Sequence, residues 1–336
     1  MHKYAGWAGL RTGAWMMRVA CLYCVGYNRS ERQQGGLQRL SELTGERHMR
    51  ISLIIPTLNA GEEIETLLEC MQNQSRKPDE IVIVDSQSDD GTAERVKHYP
   101  QVCVMEIERR AFDHDGTRDM ALRAASGDIV LFMTQDAIPV DENYVKNLIA
   151  PFEDERVAAV GGRQIAKADA TRQEQLVRAH NYPAQSCIWD RSAIEKRGVR
   201  AFMISDCCAA YRREAYLAVG GFDHPIMTNE DMLMAQRLLE AGYSIGYRAE
   251  AAVYHSHNLT LRQQYRRNYI VGRTMKRYEA RFCYVSEMGE GTKLAKAVLM
   301  QLLKEKRLGS CMAFGMDCAV RLLGNRAGRW MEGRHR

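Results

Sequence analysis

Short apolar runs alternate with amphipathic stretches through the first half of this chain. Ile51 to Ile55 is mostly apolar and is closed by Pro56, the length and punctuation of a buried strand. Glu62 to Gln74 then carries Ile64, Leu67, Leu68 and Met71 at helical spacing. Pro78-Asp79 turns into a second strand, Ile81 to Val84, and Asp85 to Gly91 is polar loop. A third strand is predicted at Val102 to Ile107, a helix at Gly116 to Ala125 and a fourth strand at Ile129 to Met133. Strands alternating with helices in this way imply a parallel sheet covered by helices, an α/β fold.

The pattern continues less regularly. A helix is predicted from Pro139 to Ile149, and a strand from Val157 to Val160 that ends at Gly161-Gly162. Residues 165–203 show no clean period and read as an insertion or acceptor-side loop. Ile204 to Tyr211 reads as a strand, Arg212 to Val219 as a short helix, and Gly220-Gly221-Phe222-Asp223 as a turn. Asp231 to Ala241 is helical and stops at Gly242, followed by short strands at Tyr243 to Tyr247 and Ala251 to Tyr254. Beyond His255 the period is helical, with Leu294, Val298, Leu302 and Leu303 marking one apolar face.

Composition narrows the class. With 46% hydrophobic and 26% charged residues the chain is an ordinary globular protein, and its 336 residues suffice for one large or two ordinary domains. No run of eighteen apolar residues occurs, so no transmembrane helix is expected. The ten cysteines have no framework spacing and read as reduced packing thiols of a cytoplasmic protein. Three blocks are expected: an Arg- and Gly-rich, poorly ordered extension at 1–48, ahead of a natural start at Met49; a catalytic body at 49–258; and a helical basic region at 259–336.

Charge follows those blocks. From His255 to Arg336 there are 17 Lys/Arg against 6 Asp/Glu, whereas residues 49–254 carry a net −10. An acidic body suits a metal-holding site, and a basic tail suits an anionic partner such as a membrane surface. The tail lacks the closely interleaved aromatics of a single-strand binder, so nucleic acid is not the expected partner.

The candidate chemistry sits where strands end. Asp85 closes the second strand, Thr134-Gln135-Asp136 closes the fourth, and Glu230-Asp231 opens a helix. In an open α/β sheet ligands bind at the carboxyl ends of the strands, so these acids can meet in one crevice. No G-x-G-x-x-G follows the first strand and no G-x-x-x-x-G-K-[ST] occurs, so a bound diphosphate needs another neutraliser. A divalent metal held by carboxylate answers that need.

Taken in order, these segments resemble a known group. Ile54-Ile55-Pro56-Thr57-Leu58-Asn59, Val82 to Thr92, Ala125 to Phe132, Thr134-Gln135-Asp136-Ala137, Gly220 to Asp223 and Glu230-Asp231 look like family 2 glycosyltransferases of the GT-A fold. The Thr-Gln-Asp-Ala turn and Tyr254-His255-Ser256-His257 are most similar to bacterial rhamnosyltransferases, which use dTDP-L-rhamnose. The resemblance spans about residues 50–275. It implies a mostly parallel central sheet flanked by helices, with a helical C-terminal region.

The resemblance also implies roles. Thr57 and Asn59 would line the nucleotide pocket, and Asp85 would accept a hydrogen bond from the base. Asp136 matches the last acid of a D-x-D motif and would bind Mg²⁺ or Mn²⁺. Thr134 replaces that motif's first acid, which removes a charge. Thr134 and Gln135 would face the donor. Asp231 matches the catalytic base, with Glu230 beside it, and His255 would complete the metal shell, with His257 as the alternative ligand. Arg118 would lie near the donor phosphates; Asp119 stands where the family has Asn. Arg266 and Arg273, two turns apart, are candidates for a phosphate. The implied activity is an inverting transfer of a sugar, L-rhamnose from dTDP-L-rhamnose, onto a cell-surface polysaccharide or lipid-linked acceptor at the inner face of the cell membrane. The rivals are a UDP-hexose donor and a degenerate, non-catalytic scaffold.

Overall fold

A computed structural model describes residues 49–226, 228–282 and 289–334. The expectation for residues 1–48, Cys21 and Cys24 included, lies outside the described residues. Four strands, β1 (Ile51–Thr57), β2 (Glu80–Asp85), β3 (Val102–Glu106) and β4 (Ile129–Met133), are mutually parallel, and the alternation of helices predicted between them is present. The sheet continues through β5 (Ile138–Pro139), β6 (Val157–Ile165), β7 (Cys187–Trp189), β8 (Cys208–Arg212) and β9 (Ser244–Tyr254), in the order β3-β2-β1-β4-β8-β6-β9-β5, with β7 also on β9. β8 is antiparallel to both β4 and β6, and β9 is parallel to β6. Six strands therefore run one way, and β5, β7 and β8 run against them.

Side chains leave a strand alternately on its two faces. Ile54, Val82, Val84, Val130, Phe132, Ala209 and Tyr211 thus build one core. Leu53, Ile55, Ile81, Ile83, Ile129, Leu131, Met133 and Ala210 build the other. Burial of both faces explains why these strands read as continuous apolar runs.

The helices are α1 (Gly61–Gln72), α2 (Thr92–Val96), α3 (His114–Ala124), α4 (Tyr144–Ile149), α5 (Arg172–Asn181), α6 (Ala193–Arg197), α7 (Arg213–Ala218), α8 (Glu230–Glu240), α9 (Leu261–Arg277), α10 (Glu279–Phe282), α11 (Glu290–Lys304) and α12 (Leu308–Arg334). The Gly-Gly-Phe-Asp turn has a structural reason. Gly221 has φ +77°, and a Cβ there would overlap Asp119. Phe222 is thereby placed against Phe132, Tyr211 and Tyr216, and Asp223 pairs with Arg281 at 2.7 Å.

Several expectations change in detail. The segment 165–203 is not irregular: it contains α5, β7 and α6. β6 runs through Gly161-Gly162 to Ile165, and the two late strands are a single bulged β9. Pairing with neighbours holds these stretches extended where local propensity gave no signal. Helix α9 opens with a capping box between Thr260 and Gln263 and lies against α12. Gly324 and Gly328 of α12 meet the backbone of Tyr265 and Tyr269 so closely that a Cβ on either would overlap a carbonyl oxygen. Arg273 and Arg277 both pair with Glu332, so Arg273 is not the free phosphate ligand expected. The expected apolar stripe is mostly inside: Val298 and Leu302 pack with Val177 and Phe314, while Leu303 is half exposed. The apolar face read from the sequence is therefore mostly covered by the body of the protein.

Candidate active site

Topology collects the polar residues on one sheet edge. β1, β2, β4, β6 and β9 all end there, and antiparallel β8 begins there. The β1–β2 register sets Thr57 beside Asp85, and the β4–β8 register sets Met133 beside Cys208. Ile165 pairs with Tyr254, and the His255 N–H donates to the Ile165 carbonyl at 2.8 Å. Crossing from β1 to β4 reverses the strand order, which is where an α/β sheet opens a crevice.

Asp136, His255 and His257 converge at this edge. His255 Nε2 lies 3.4 Å and His257 Nδ1 3.8 Å from Asp136 Oδ2. One ligand atom from each of the three falls within a 4.8 Å cluster. The tautomer of His255 follows from its neighbours. Arg178 can only donate, so the Gln164 atom it meets is the carbonyl oxygen. That same Oε1 lies 3.0 Å from His255 Nδ1, which must therefore carry the proton. The nitrogen left facing Asp136 is Nε2, the one a metal would take as its ligand. Burial opposes ionisation of Asp136, but His255, the Thr134 hydroxyl, His257 and Lys167 outweigh it and hold its pKa below the ordinary value. One carboxylate and two imidazoles suit Mn²⁺ better than Mg²⁺, which favours all-oxygen shells.

A second cluster surrounds Arg118. Its guanidinium is 3.7 Å from Glu230 Oε1 and donates to the His114 carbonyl at 2.9 Å. Asp231 follows Glu230 at the start of α8 and accepts the Met232 N–H at 2.7 Å. Burial, Glu230 and Asp206 hold the Asp231 carboxyl well above the usual carboxylate range. Burial pushes Asp206 up to about 7, with Arg118 opposing and Glu230 adding. Burial, Glu230 and Asp113 push Asp115 up to about 9. A raised carboxyl is a stronger proton acceptor near neutral pH than a free one.

Asp85, 1% exposed, sits in a third group. It accepts from Thr57 Oγ1 at 2.9 Å, Ser88 Oγ at 2.6 Å and the Ser88 N–H at 2.8 Å. Asn59, at φ +49°, accepts the Asp89 N–H through its side chain. Gln135 grips both the N–H and the carbonyl of Leu58, at 3.0 and 3.3 Å. The nest at the ends of β1 and β2 is thus tied to the loop bearing Asp136.

Two cavities flank Asp231. A cleft of about 840 Å³ is walled by His114, Arg118, Thr134, Gln135, Asp136, Lys167, Asp206, Glu230, His255, His257, Arg266 and Arg267, among others. A chamber of about 470 Å³ is walled by Tyr182, Trp189, Arg197, Arg200, Phe202, Met203, Ile204 and Tyr247. Asp231 lines both. Arg197 lies over the Trp189 ring at 4.4 Å.

The structure therefore brings Asp136, His255, His257, Thr134, Gln135, Arg118, Glu230 and Asp231 to one cleft, with Thr57, Asn59 and Asp85 in the adjoining nest. Asp119 turns away, bonded to Arg123, Tyr216 and His224. Asp206 and Gln164 went unnoticed in the sequence. Asp206 sits in what reads as an apolar strand, and an acid there was the available signal. Gln164 had none, because its value lies in contacts with residues 14 and 91 positions away.

Comparison with known proteins agrees with this geometry. Residues 52–220 match the model of glycosyl transferase family 2. The chain belongs to glycosyl transferase family 2 and is a glycosyltransferase. It is 37% identical to the O-antigen chain rhamnosyltransferase RfbN of Salmonella typhimurium over 225 residues, 67% of this chain and 72% of that protein. It is 39% identical to the O-antigen chain rhamnosyltransferase WbaN of Salmonella anatum over 223 residues, 66% and 70% of the two chains. In fold it is similar to the mannosyltransferase PcManGT of Pyrobaculum calidifontis, solved with GDP-Man and Mn²⁺. That match has TM-score 0.59 at 18% identity and covers 91% of this chain and 96% of the other. The resemblance read from the motifs, and the GT-A architecture it implied, are both borne out.

Proposed function

We propose that the protein transfers L-rhamnose from dTDP-L-rhamnose to a hydroxyl of a growing O-antigen-type polysaccharide, with inversion at the anomeric carbon. The observation that carries this reading is the position of Asp231 on the wall common to both cavities. The donor occupies the cleft, and the acceptor occupies the aromatic chamber, where the apolar faces of sugar rings pack on Tyr182 and Tyr247. The acceptor oxygen attacks the anomeric carbon and its proton passes to the Asp231 carboxylate. The bond to the diphosphate oxygen breaks, and the diphosphate leaves with the electron pair. Glu230 keeps Arg118 in place and raises the basicity of Asp231 through its charge. Thr57, Asn59 and Asp85 hold the nucleoside, and Thr134 and Gln135 border it.

The donor set of Asp136, His255 and His257 fits a divalent cation, Mn²⁺ better than Mg²⁺. When bound, the ion offsets charge developing on the leaving diphosphate. Lys167 and Arg266 add fixed positive charge along the same cleft.

The reading places the enzyme in the cytoplasm, on the inner face of the cell membrane. Among the described residues no helix is long and apolar enough to cross a membrane. The surface of α11 and α12 nevertheless exposes Leu299, Met300, Leu303, Leu308, Met312 and Met316. Lys293, Lys296, Lys304, Lys306 and Arg307 belong to the same stretch. Apolar anchors flanked by cations suit an anionic interface. This face replaces the stripe expected from sequence. Incubation with dTDP-L-rhamnose, UDP-glucose, UDP-galactose or UDP-N-acetylglucosamine, each with Mn²⁺, tests the donor. Release of dTDP is expected; release of UDP alone overturns the donor assignment.

A further inference from the structure

Beside the catalytic cleft, α5, α9 and α12 enclose a separate pocket of about 210 Å³. Its wall carries three guanidinium groups, Arg178, Arg267 and Arg321, together with His257, Asn181, Gln264 and Asn268. The charges are unequally matched. Arg178 pairs with Glu174 at 2.8 Å and Arg321 with Asp317 at 2.7 Å, each through a single nitrogen. Arg267 has no ion pair or hydrogen bond with any described residue. Arg267 is exposed as a whole, but partial desolvation of its guanidinium and the fields of Arg178 and Arg321, opposed by Glu174, depress its pKa. Glu174 and Asp317 offset Arg178 and Arg321, which leaves the charge of Arg267 uncompensated beside two further guanidinium groups, a field that favours an anion.

The chemistry of the lining selects the anion. A guanidinium fork matches phosphate oxygens two at a time, and amide and imidazole N–H groups add further donors. Glu174 is the one carboxylate on the wall. At about 210 Å³ the pocket is smaller than the ~300 Å³ from which sites for whole organic ligands begin. It fits a phosphate or diphosphate group rather than a complete nucleotide. Arg267 and His257 also border the cleft, whereas Arg178 and Arg321 border this pocket.

We propose that the Arg178–Arg267–Arg321 pocket is a binding site for a phosphate or diphosphate group distinct from that of the sugar donor. Its source is either free anion or a lipid phosphate, which share the same chemistry. The site touches both substrate spaces: it shares His257 and Arg267 with the cleft, and Asn181 and Tyr182 with the chamber.

The test uses the full chain in EDTA, so that Asp136 gathers no metal-bound anion. Calorimetry with inorganic pyrophosphate compares the wild type with Arg321→Met, Arg267→Met and Asp136→Ala. Sedimentation with vesicles of phosphatidylcholine, with or without phosphatidic acid, compares the same four proteins. Losing a charged hydrogen-bond donor weakens binding by about tenfold or more. The expected result is that loss in Arg321→Met and Arg267→Met, with Asp136→Ala unaffected. A loss in the pyrophosphate arm assigns free anion, and a loss in the phosphatidic-acid arm assigns a lipid phosphate. If Arg321→Met and Arg267→Met, both with unchanged melting temperature, match the wild type in both arms, the proposal is overturned. It is also overturned if Asp136→Ala alone loses binding.

Discussion

Replacing Gln164 with Leu should weaken metal binding without touching any ligand atom. The side chain is 2% exposed, and its Oε1 is the acceptor that fixes His255 with Nδ1 protonated and Nε2 toward Asp136. Leucine fills similar space but accepts nothing, so the imidazole loses both its orientation and its tautomer preference. Removing such an outer partner costs about 10- to 100-fold in metal affinity. That corresponds to ~1.4–2.8 kcal/mol. Gln164→Glu separates hydrogen bonding from packing. Its carboxylate accepts the same Nδ1 proton, pairs with Arg178, and should hold affinity at or above the wild-type value. Calorimetric titration with Mn²⁺ reads both variants, and thermal melting checks that each is folded. A folded Gln164→Leu protein that binds Mn²⁺ within about twofold of the wild type would refute this tautomer argument.

Other outcomes follow from the same contacts. Asp231 must be ionised to accept a proton, and its raised pKa means that kcat/KM climbs with pH above the ordinary ~3.9 of an aspartate. Asp206→Asn removes a charge that contributes to this rise, so the ascending limb should move to lower pH; an unmoved limb would separate the two acids. Gly328→Leu should force α9 and α12 apart at the Tyr269 carbonyl. Overpacking of this kind costs about 1–3 kcal/mol, read as a fall of several degrees in melting temperature. Met312→Glu with Met316→Glu should cut sedimentation with anionic vesicles and leave turnover of a soluble acceptor unchanged; undiminished sedimentation would move the membrane face elsewhere.

The parallel half of the sheet was legible because burial on both faces leaves an unbroken apolar signal. β1, β2 and β4 lie where the runs at Ile51, Ile81 and Ile129 put them. The segment 165–203 was illegible for the opposite reason. β7 is three residues long and is held by β9, a partner more than fifty positions away. At the site, Asp85, Asp136 and Asp231 were visible because acids closing strands or opening a helix stand out from their neighbours. Their meeting in space needed the β1-to-β4 crossover. The support was hidden: Gln164 orients His255 from the penultimate position of a strand whose glycines read as its end. The stripe Leu294–Val298–Leu302 gave the right periodicity and the wrong partner. Amphipathicity states that a face is covered and leaves open by what, and here Val177 and Phe314 cover it.

The central claim is that Asp231 takes the acceptor's proton. Asp231→Asn keeps the shape and the Met232 N–H contact and removes the basic oxygen. Single-turnover transfer from dTDP-L-rhamnose should fall about a hundredfold or more, the usual scale for a general base. Binding of dTDP with Mn²⁺ should stay near the wild-type value. Transfer by Asp231→Asn at close to the wild-type rate would contradict the account and leave the proton to another group in the cleft.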